Sequence, residues 1–331
     1  MNSNLKTSMP ITRRHILLGS AAMLAAPAFV RAQDALPDTM RLILPFPPGN
    51  SLDASARVFA EAYRAATGRN CFVDNKPGAA ATIAANEVSR GRPDGSVLLW
   101  TTGGHLTTAV LMKKLPYDPI EGFTPVTPAY QTDGFVLATR AGSPFNSVKD
   151  VIDAAKRTPG RVSYASAGVG NTTHVVGALF ARSAGVDMLH VPYRGDFLVD
   201  LLAGVTDMMF VSPGVIDPLV KSGKLKLLGI TGTKRSERIP DLPTFLESGL
   251  KDVDVPAYSA LLAPPKMPPA TLAALHEGVV KALRSPAVVS AFSTVGNRVW
   301  TLSPQDFKAY LQQELRDLQR ILPPLGIQMD A

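Results

Sequence analysis

The chain has a single cysteine, Cys71, in 331 residues, so no intrachain disulfide can staple it and no C-x-x-C redox or zinc pair exists. It also lacks a G-x-S-x-G nucleophile elbow and an H-E-x-x-H zinc motif, which removes two common hydrolase designs. Its five histidines, His15, His105, His174, His190 and His276, show no metal-ligand spacing. No metal and no cofactor are expected, and no catalytic residue is assigned. There is no dense Lys/Arg run, so nucleic acid is not expected as a partner. Beyond residue 33 no apolar run approaches the length of a membrane span. Cys71 lies in "NCFVDN", which reads as a buried strand with an inert thiol.

What is present begins with residues 1–33. "ITRRHILLGSAAMLAAPAFVRAQ" has a basic start, an apolar stretch over 16–30, and small or modest residues before a cleavage point after Ala32. That pattern predicts a removable export signal and a periplasmic mature protein. Arg13-Arg14 resembles a twin-arginine signal, and a general secretory signal that happens to carry two arginines fits as well. Met9 also serves as a start, since nothing before it is needed. The segment holds Lys6, Arg13, Arg14 and Arg31 and no acids. Subtracting those four from 34 basic residues leaves 30 against 27 acidic ones, a mature net charge of +3. The basic balance is therefore largely a targeting feature, and the remainder suits anionic small molecules only weakly.

The mature length favours two domains, and helical and strand patterns alternate throughout, which predicts an α/β fold. Four stretches repeat one plan: an apolar strand, a small or polar loop, a helix start. They are "RLILPFPPGNSLDASAR", with strand 42–46; "SVLLWTTGGHLTTAV", with strand 97–101; "RVSYASAGVGNTTHVV", with strand 162–165; and "TDMMFVSPGVIDPLV", with strand 208–211. Open α/β sheets bind ligands at such strand ends. A helix start leaves backbone N–H groups without partners and carries partial positive charge, so the expected guest is a carboxylate or phosphate. Helix capping alone also accounts for Asn50, Ser51 and Asp53. The chain is expected to cross to a second domain near the strand 135–138 and to return at 259–263. That divides it into 34–133 with 257–331, and 134–256. Amphipathic helices are expected over 270–284 and 304–322, the latter capped by Ser303 or Thr301.

The candidate contacts follow from these loops. Asn50, Ser51, Ser166, Gly170, Asn171 and Thr172 are placed as donors to a carboxylate. Phe46, Phe210 and Tyr193 are placed as walls for the apolar part of the ligand, and Asp53 as a residue that shapes its loop. His105 and His174 lie near ligand loops, while His190 and His276 read as packing residues. Pro47, Gly49, Thr102, Gly103, Gly168, Arg194 and Ser212 complete the candidate set. "GVGNTT", 168–173, partly matches a dinucleotide fingerprint, but its third glycine is missing.

"LILPFPPGNSLDASAR", "VDNKPGAAATIAANEVSRGRPDGSVLLW", "KKLPYDPIEGFTPVT", "YASAGVGNTTH", "GVDMLHVPYRG", "SGKLKLLGITGTKRSERIPDLPTFLESGL" and "LLAPPKMPP" together resemble the Bug family, the periplasmic solute-binding receptors of tripartite tricarboxylate transporters. The resemblance runs over the whole mature chain, in order. It implies a two-domain periplasmic binding protein of type II-like, flytrap architecture with two crossover strands, a small organic anion as ligand, membrane permease subunits as partners, and no enzymatic step. It implies that Pro47 to Asp53 and Ser166 to His174 pinch the carboxylate, with ordered waters bridging where donors fall short. A monomer is expected. The pattern departs in the first loop, where only Gly49 remains of the usual glycines and Leu52 stands at a common Thr. It departs again at Ala80 and Ala81, and at Asp196, which either repels a carboxylate, pairs with Arg194, binds a ligand ammonium or hydroxyl, or caps a helix. A periplasmic enzyme or cofactor carrier, and a sensory receptor for a signalling partner, are the alternatives.

Overall fold

Two sheets organise the chain, and it passes between them twice. The computed structural model describes residues 36–193, 197–253, 255 and 257–329. The predicted export segment, Arg194 and Asp196 lie outside the described residues. Numbered in chain order, the strands are β1 (Thr39–Leu44), β2 (Asn70–Asn75), β3 (Val97–Thr102), β4 (Thr124–Thr132), β5 (Val136–Arg140), β6 (Ser163–Ser166), β7 (Leu189–Pro192), β8 (Met208–Val211), β9 (Leu225–Ile230), β10 (Tyr258–Ala263) and β11 (Asn297–Val299). The helices are α1 (Ser51–Thr67), α2 (Thr82–Ser89), α3 (Gly104–Leu111), α4 (Val148–Arg157), α5 (Thr172–Ala184), α6 (Leu198–Ala203), α7 (Pro213–Lys221), α8 (Pro269–Leu283), α9 (Pro286–Thr294) and α10 (Pro304–Ile321).

The first sheet has the order β11-β4-β10-β3-β1-β2 and the second β7-β6-β8-β5-β9. Both follow one plan. In the first, β2, β1 and β3 are parallel, and β10 then joins antiparallel between β3 and β4. In the second, β7, β6 and β8 are parallel, and β5 joins antiparallel between β8 and β9. In each case the antiparallel strand is the one that has just arrived from the other sheet. The two crossings predicted from sequence are therefore present, one between Thr132 and Val136 and one between Ile230 and Tyr258.

Local chemistry explains the elements. Leu42, Ile43 and Leu44 are all fully buried, as a parallel strand covered on both faces requires. Ile43 joins a core that spans both sheets, whereas Leu42 and Leu44 pack with Phe59, Tyr63 and Trp100 on the outer face of the first sheet. The strand stops at Leu44, two residues before the predicted end. Pro45 cannot donate to a ladder, and Phe46 falls in the loop. Asn50 then caps α1, its Oδ1 accepting the Asp53 N–H at 2.8 Å, and Gly68 ends the helix with φ of 73°. Such a cap is worth ~1 kcal/mol. The predicted buried character of "NCFVDN" is corrected. β2 is the edge strand, Phe72 is half exposed, and Cys71 is only partly buried. Burial still pushes the Cys71 thiol up to about 12, which keeps it unreactive. No described helix is long and apolar enough to cross a membrane.

Candidate functional site

The carboxyl ends of β1 and β6 point their following loops into one cleft of about 610 Å³. Phe46 and Pro47 line it from the first sheet's side. Gly168, Gly170, Asn171 and Tyr193 line it from the second. Thr102, the last residue of β3, and His105, in the first turn of α3, complete the predicted residues that reach the walls. A Cβ built on Gly104 would lie 3.8 Å from Thr172 Oγ1, so the loops of the two sheets nearly touch.

The first loop is held from behind. Asp53 is buried and accepts from the Gly49 N–H at 3.0 Å, Asn75 Nδ2 at 2.9 Å and Arg57 Nε at 2.9 Å. The Arg57 bond is the largest cause that draws its pKa down to about 2. Asp53 is thus spent on loop geometry, and the N–H groups of Ser51 and Leu52 remain at the helix start. Gly49, with φ of 88°, supplies the left-handed turn the loop needs. Gly49, Asn50, Ser51 and Asp53 sit beside the cleft and not among its walls.

The second loop rests on an imidazole pair. His174 Nδ1 accepts the Gly170 N–H at 3.1 Å, and His190 Nε2 lies 2.6 Å from Ser166 Oγ. The two rings stack with centroids 3.6 Å apart and planes 3° from parallel. Burial lowers His174 to about 3, aided by His190, and lowers His190 to about 4. Both rings are therefore neutral at neutral pH, and His174 keeps the lone pair that its bond to Gly170 needs. Asn171 caps α5 by accepting from the Thr173 N–H and Thr173 Oγ1, each at 3.0 Å. Ser166 Oγ accepts the Gly168 N–H at 3.2 Å. Ser166 and His174 build the loop from beneath, Thr172 begins α5, and the Gly170 N–H, placed from sequence as a ligand donor, is committed to His174.

Three candidates are corrected. Phe210 is fully buried, packed edge-on against Tyr164 and Phe245 and tilted against Phe180, so it is core and not a wall. Gly103 is buried at the start of α3, and Gly104 holds the cleft position instead. Ser212 opens α7 away from the cleft walls. Arg194 lies outside the described residues. Sequence reasoning missed Pro45, Pro77, Gly78, Thr108 and Val169, and above all Ala79, Ala80 and Ala81. Those three alanines have φ of 44°, 51° and 76°, a left-handed turn that alanine adopts at a cost of about 1–3 kcal/mol per residue. Thr108 Oγ1 donates to the Ala80 carbonyl at 3.3 Å and Thr82 Oγ1 to the Ala79 carbonyl at 2.7 Å. Among the described residues no three His, Cys, Asp or Glu side chains come together as a metal site.

A family model described as tripartite tricarboxylate transporter family receptor matches residues 55–327. The chain belongs to this receptor family. The family is one of solute-binding receptors and not of enzymes. A relative from a Pseudomonas species, encoded in a tcbD-tcbE intergenic region, is 31% identical over 94% of this chain and 94% of its own length. The solved periplasmic binding protein BugD superposes with a TM-score of 0.80 at 28% identity, over 88% of this chain and 99% of its own. A Rhodopseudomonas palustris protein solved with adipate gives 0.81 at 27%, over 88% and 98%. Both solved proteins share the fold described here, in which the cleft is lined from both sheets.

Proposed function

We infer that this receptor captures a small organic acid in the cleft and hands it to the membrane subunits of a tripartite tricarboxylate-type transporter. The observation that carries the reading is the pair of strand–loop–helix units, β1–α1 and β6–α5, that face each other across one cavity. A carboxylate in the cleft would meet the Asn171 side-chain amide and the Thr102 hydroxyl at the walls, in a field set by the two helix starts, whose Ser51 and Thr172 N–H groups lie behind those walls and favour negative charge. Ordered water completes contacts that backbone does not reach. The adipate found in a relative supports an acid as ligand. The two sheets act as two domains, 34–133 with 257–331 and 134–256, and ligand shifts them toward the closed arrangement. Residues 1–33 direct export and leave a periplasmic monomer.

Thermal shift against mono-, di-, tricarboxylic and aromatic acids tests this reading. Ligand at one hundred times its dissociation constant stabilises by about 2.7 kcal/mol, a rise of several degrees in Tm. Asn171→Asp sets a negative charge at the start of α5 facing the carboxylate, and the rise should vanish. Unchanged affinity in that variant removes the proposed seat.

A further inference from the structure

Met329 joins the two walls of the cleft from behind, a role that rests on the carboxylate reading above and deepens it. The chain leaves α10 at Ile321, makes one short turn at Pro323–Leu325 against α5, and reaches Met329. Met329 is buried. Its N–H donates to the Leu111 carbonyl oxygen at 3.1 Å, and Met112 lies opposite it in a parallel bridge. Its backbone is therefore tied to the end of α3. The first turns of α3 carry Gly104, His105 and Thr108, which are cleft wall on the first sheet's side. The Met329 side chain lies against the other wall. A Cβ built on Gly170 would overlap Met329 Sδ and come within 2.9 Å of its Cε. The thioether thus fills the space that a side chain at 170 would take, beneath a loop that lines the cleft from the second sheet. The same loop is held independently by the Gly170 N–H, which donates to His174. Met329 itself is not among the wall residues.

Opening the cleft moves its two walls apart. Met329 is bonded to the element that carries one wall and packed on the loop that forms the other, so opening lifts its side chain off Gly170. Another close contact between the sheets' elements lacks this property. Gly214 meets Val295 just before β11, whose Asn297 pairs with Thr132, where the first crossing begins. Groups beside a hinge move least when it turns. A thioether suits a contact that is made and broken. It adapts to irregular surfaces, and as a weak acceptor it leaves no strong polar group stranded when it parts. We propose that Met329 is a positioning residue for ligand capture: it presses the Gly170 loop into place in the closed arrangement and slows release of the acid, without touching the acid itself.

Stopped-flow fluorescence with malate, adipate and benzoate, on the purified full chain and on Met329→Leu, Met329→Val and Met329→Ala, tests the proposal. For an acid that binds, Met329→Ala should raise koff roughly tenfold while kon stays within about twofold, because affinity differences within one interface lie mostly in koff. Met329→Val should fall between, and Met329→Leu, of similar volume, should keep the release rate of the wild type. The melting temperatures of the ligand-free proteins separate positioning from packing. A lowered Tm with koff unchanged makes Met329 a core residue only, which overturns the proposal and leaves the carboxylate receptor standing. A change confined to kon overturns it as well. Where Met329→Ala does not fold, Met329→Val carries the same comparison. No binding of any of the three acids to the wild type takes down the carboxylate reading, and the role of Met329 with it.

Discussion

Glu314 offers the sharpest test of how burial sets energetics in this molecule. It lies on α10, 6% exposed, and accepts a hydrogen bond from the Tyr258 hydroxyl at 2.7 Å. Tyr258 opens β10, the strand that returns from the second sheet, and meets Trp300, Phe307 and Tyr310 edge-on at 5.7, 6.5 and 5.6 Å. In this apolar nest burial raises the Glu314 pKa from 4.5 to about 8. A folded pKa above the unfolded one means the native state holds the proton longer. The stability from this group is complete below about 4.5 and is lost as pH rises through about 8. The full shift corresponds to ~5 kcal/mol as an upper bound, or roughly 10 °C in Tm for a chain of this size. Half of that remains measurable. Glu314→Gln keeps an oxygen to accept from Tyr258 and never ionises. Scanning calorimetry between about pH 5 and about pH 8 should show the variant gaining on the wild type with each unit of pH, the gain levelling off above about 8. Parallel profiles across that range would refute the reading of Glu314 as a neutral acid in the native core.

Further outcomes follow from the imidazole pair and from one close backbone contact. His174 and His190 are depressed to about 3 and about 4, so the unfolded chain takes up protons first. Stability should be intact above about 6.5 and fall by about 1.4 kcal/mol per pH unit for each ring as pH drops toward those values. Ligand affinity, followed by titration fluorescence, should fall in the same window, because a protonated His174 cannot accept the Gly170 N–H. His174→Gln should weaken binding at neutral pH and flatten that decline. Gly214 starts α7 under the Val295 carbonyl, where a Cβ would overlap the oxygen. Gly214→Ala should lower Tm by several degrees, since backbone and not a flexible side chain must yield. An unchanged Tm would mean that this contact between the two sheets' elements is not made in solution.

Much of this was legible in the sequence, for reasons specific to each place. The run from Leu42 to Leu44 announces a strand buried on both faces, and Asn50 with Asp53 announces the helix start behind it. The two crossings could be read because strands at 135–138 and 259–263 interrupt otherwise regular strand–helix repeats. Phe210 was misplaced because β8 is apolar on both faces, so its pattern does not say which side meets the cleft. His190 was read as packing, and its bond to Ser166 was hidden. Only the parallel register of β6 on β7, which sets Tyr164 against His190, brings residues 24 apart within reach. The alanine turn was invisible for a different cause. Local preference argues against three consecutive left-handed alanines, and they are held by a tertiary bond from Thr108 together with local bonds from Thr82 and from the Ala81 N–H to Gly78.

The placement of β10 has a consequence for the order in which the molecule can be assembled. The second sheet is complete once β9 has emerged from synthesis at Ile230. The first sheet is not, because β10 lies between β3 and β4. Until Tyr258 and the residues after it appear, β3 and β4 have no strand to join them and each shows an open edge, the kind of edge that recruits foreign strands. Every newly made chain therefore passes through an interval in which its later-sequenced sheet is whole while its earlier-sequenced sheet stands split.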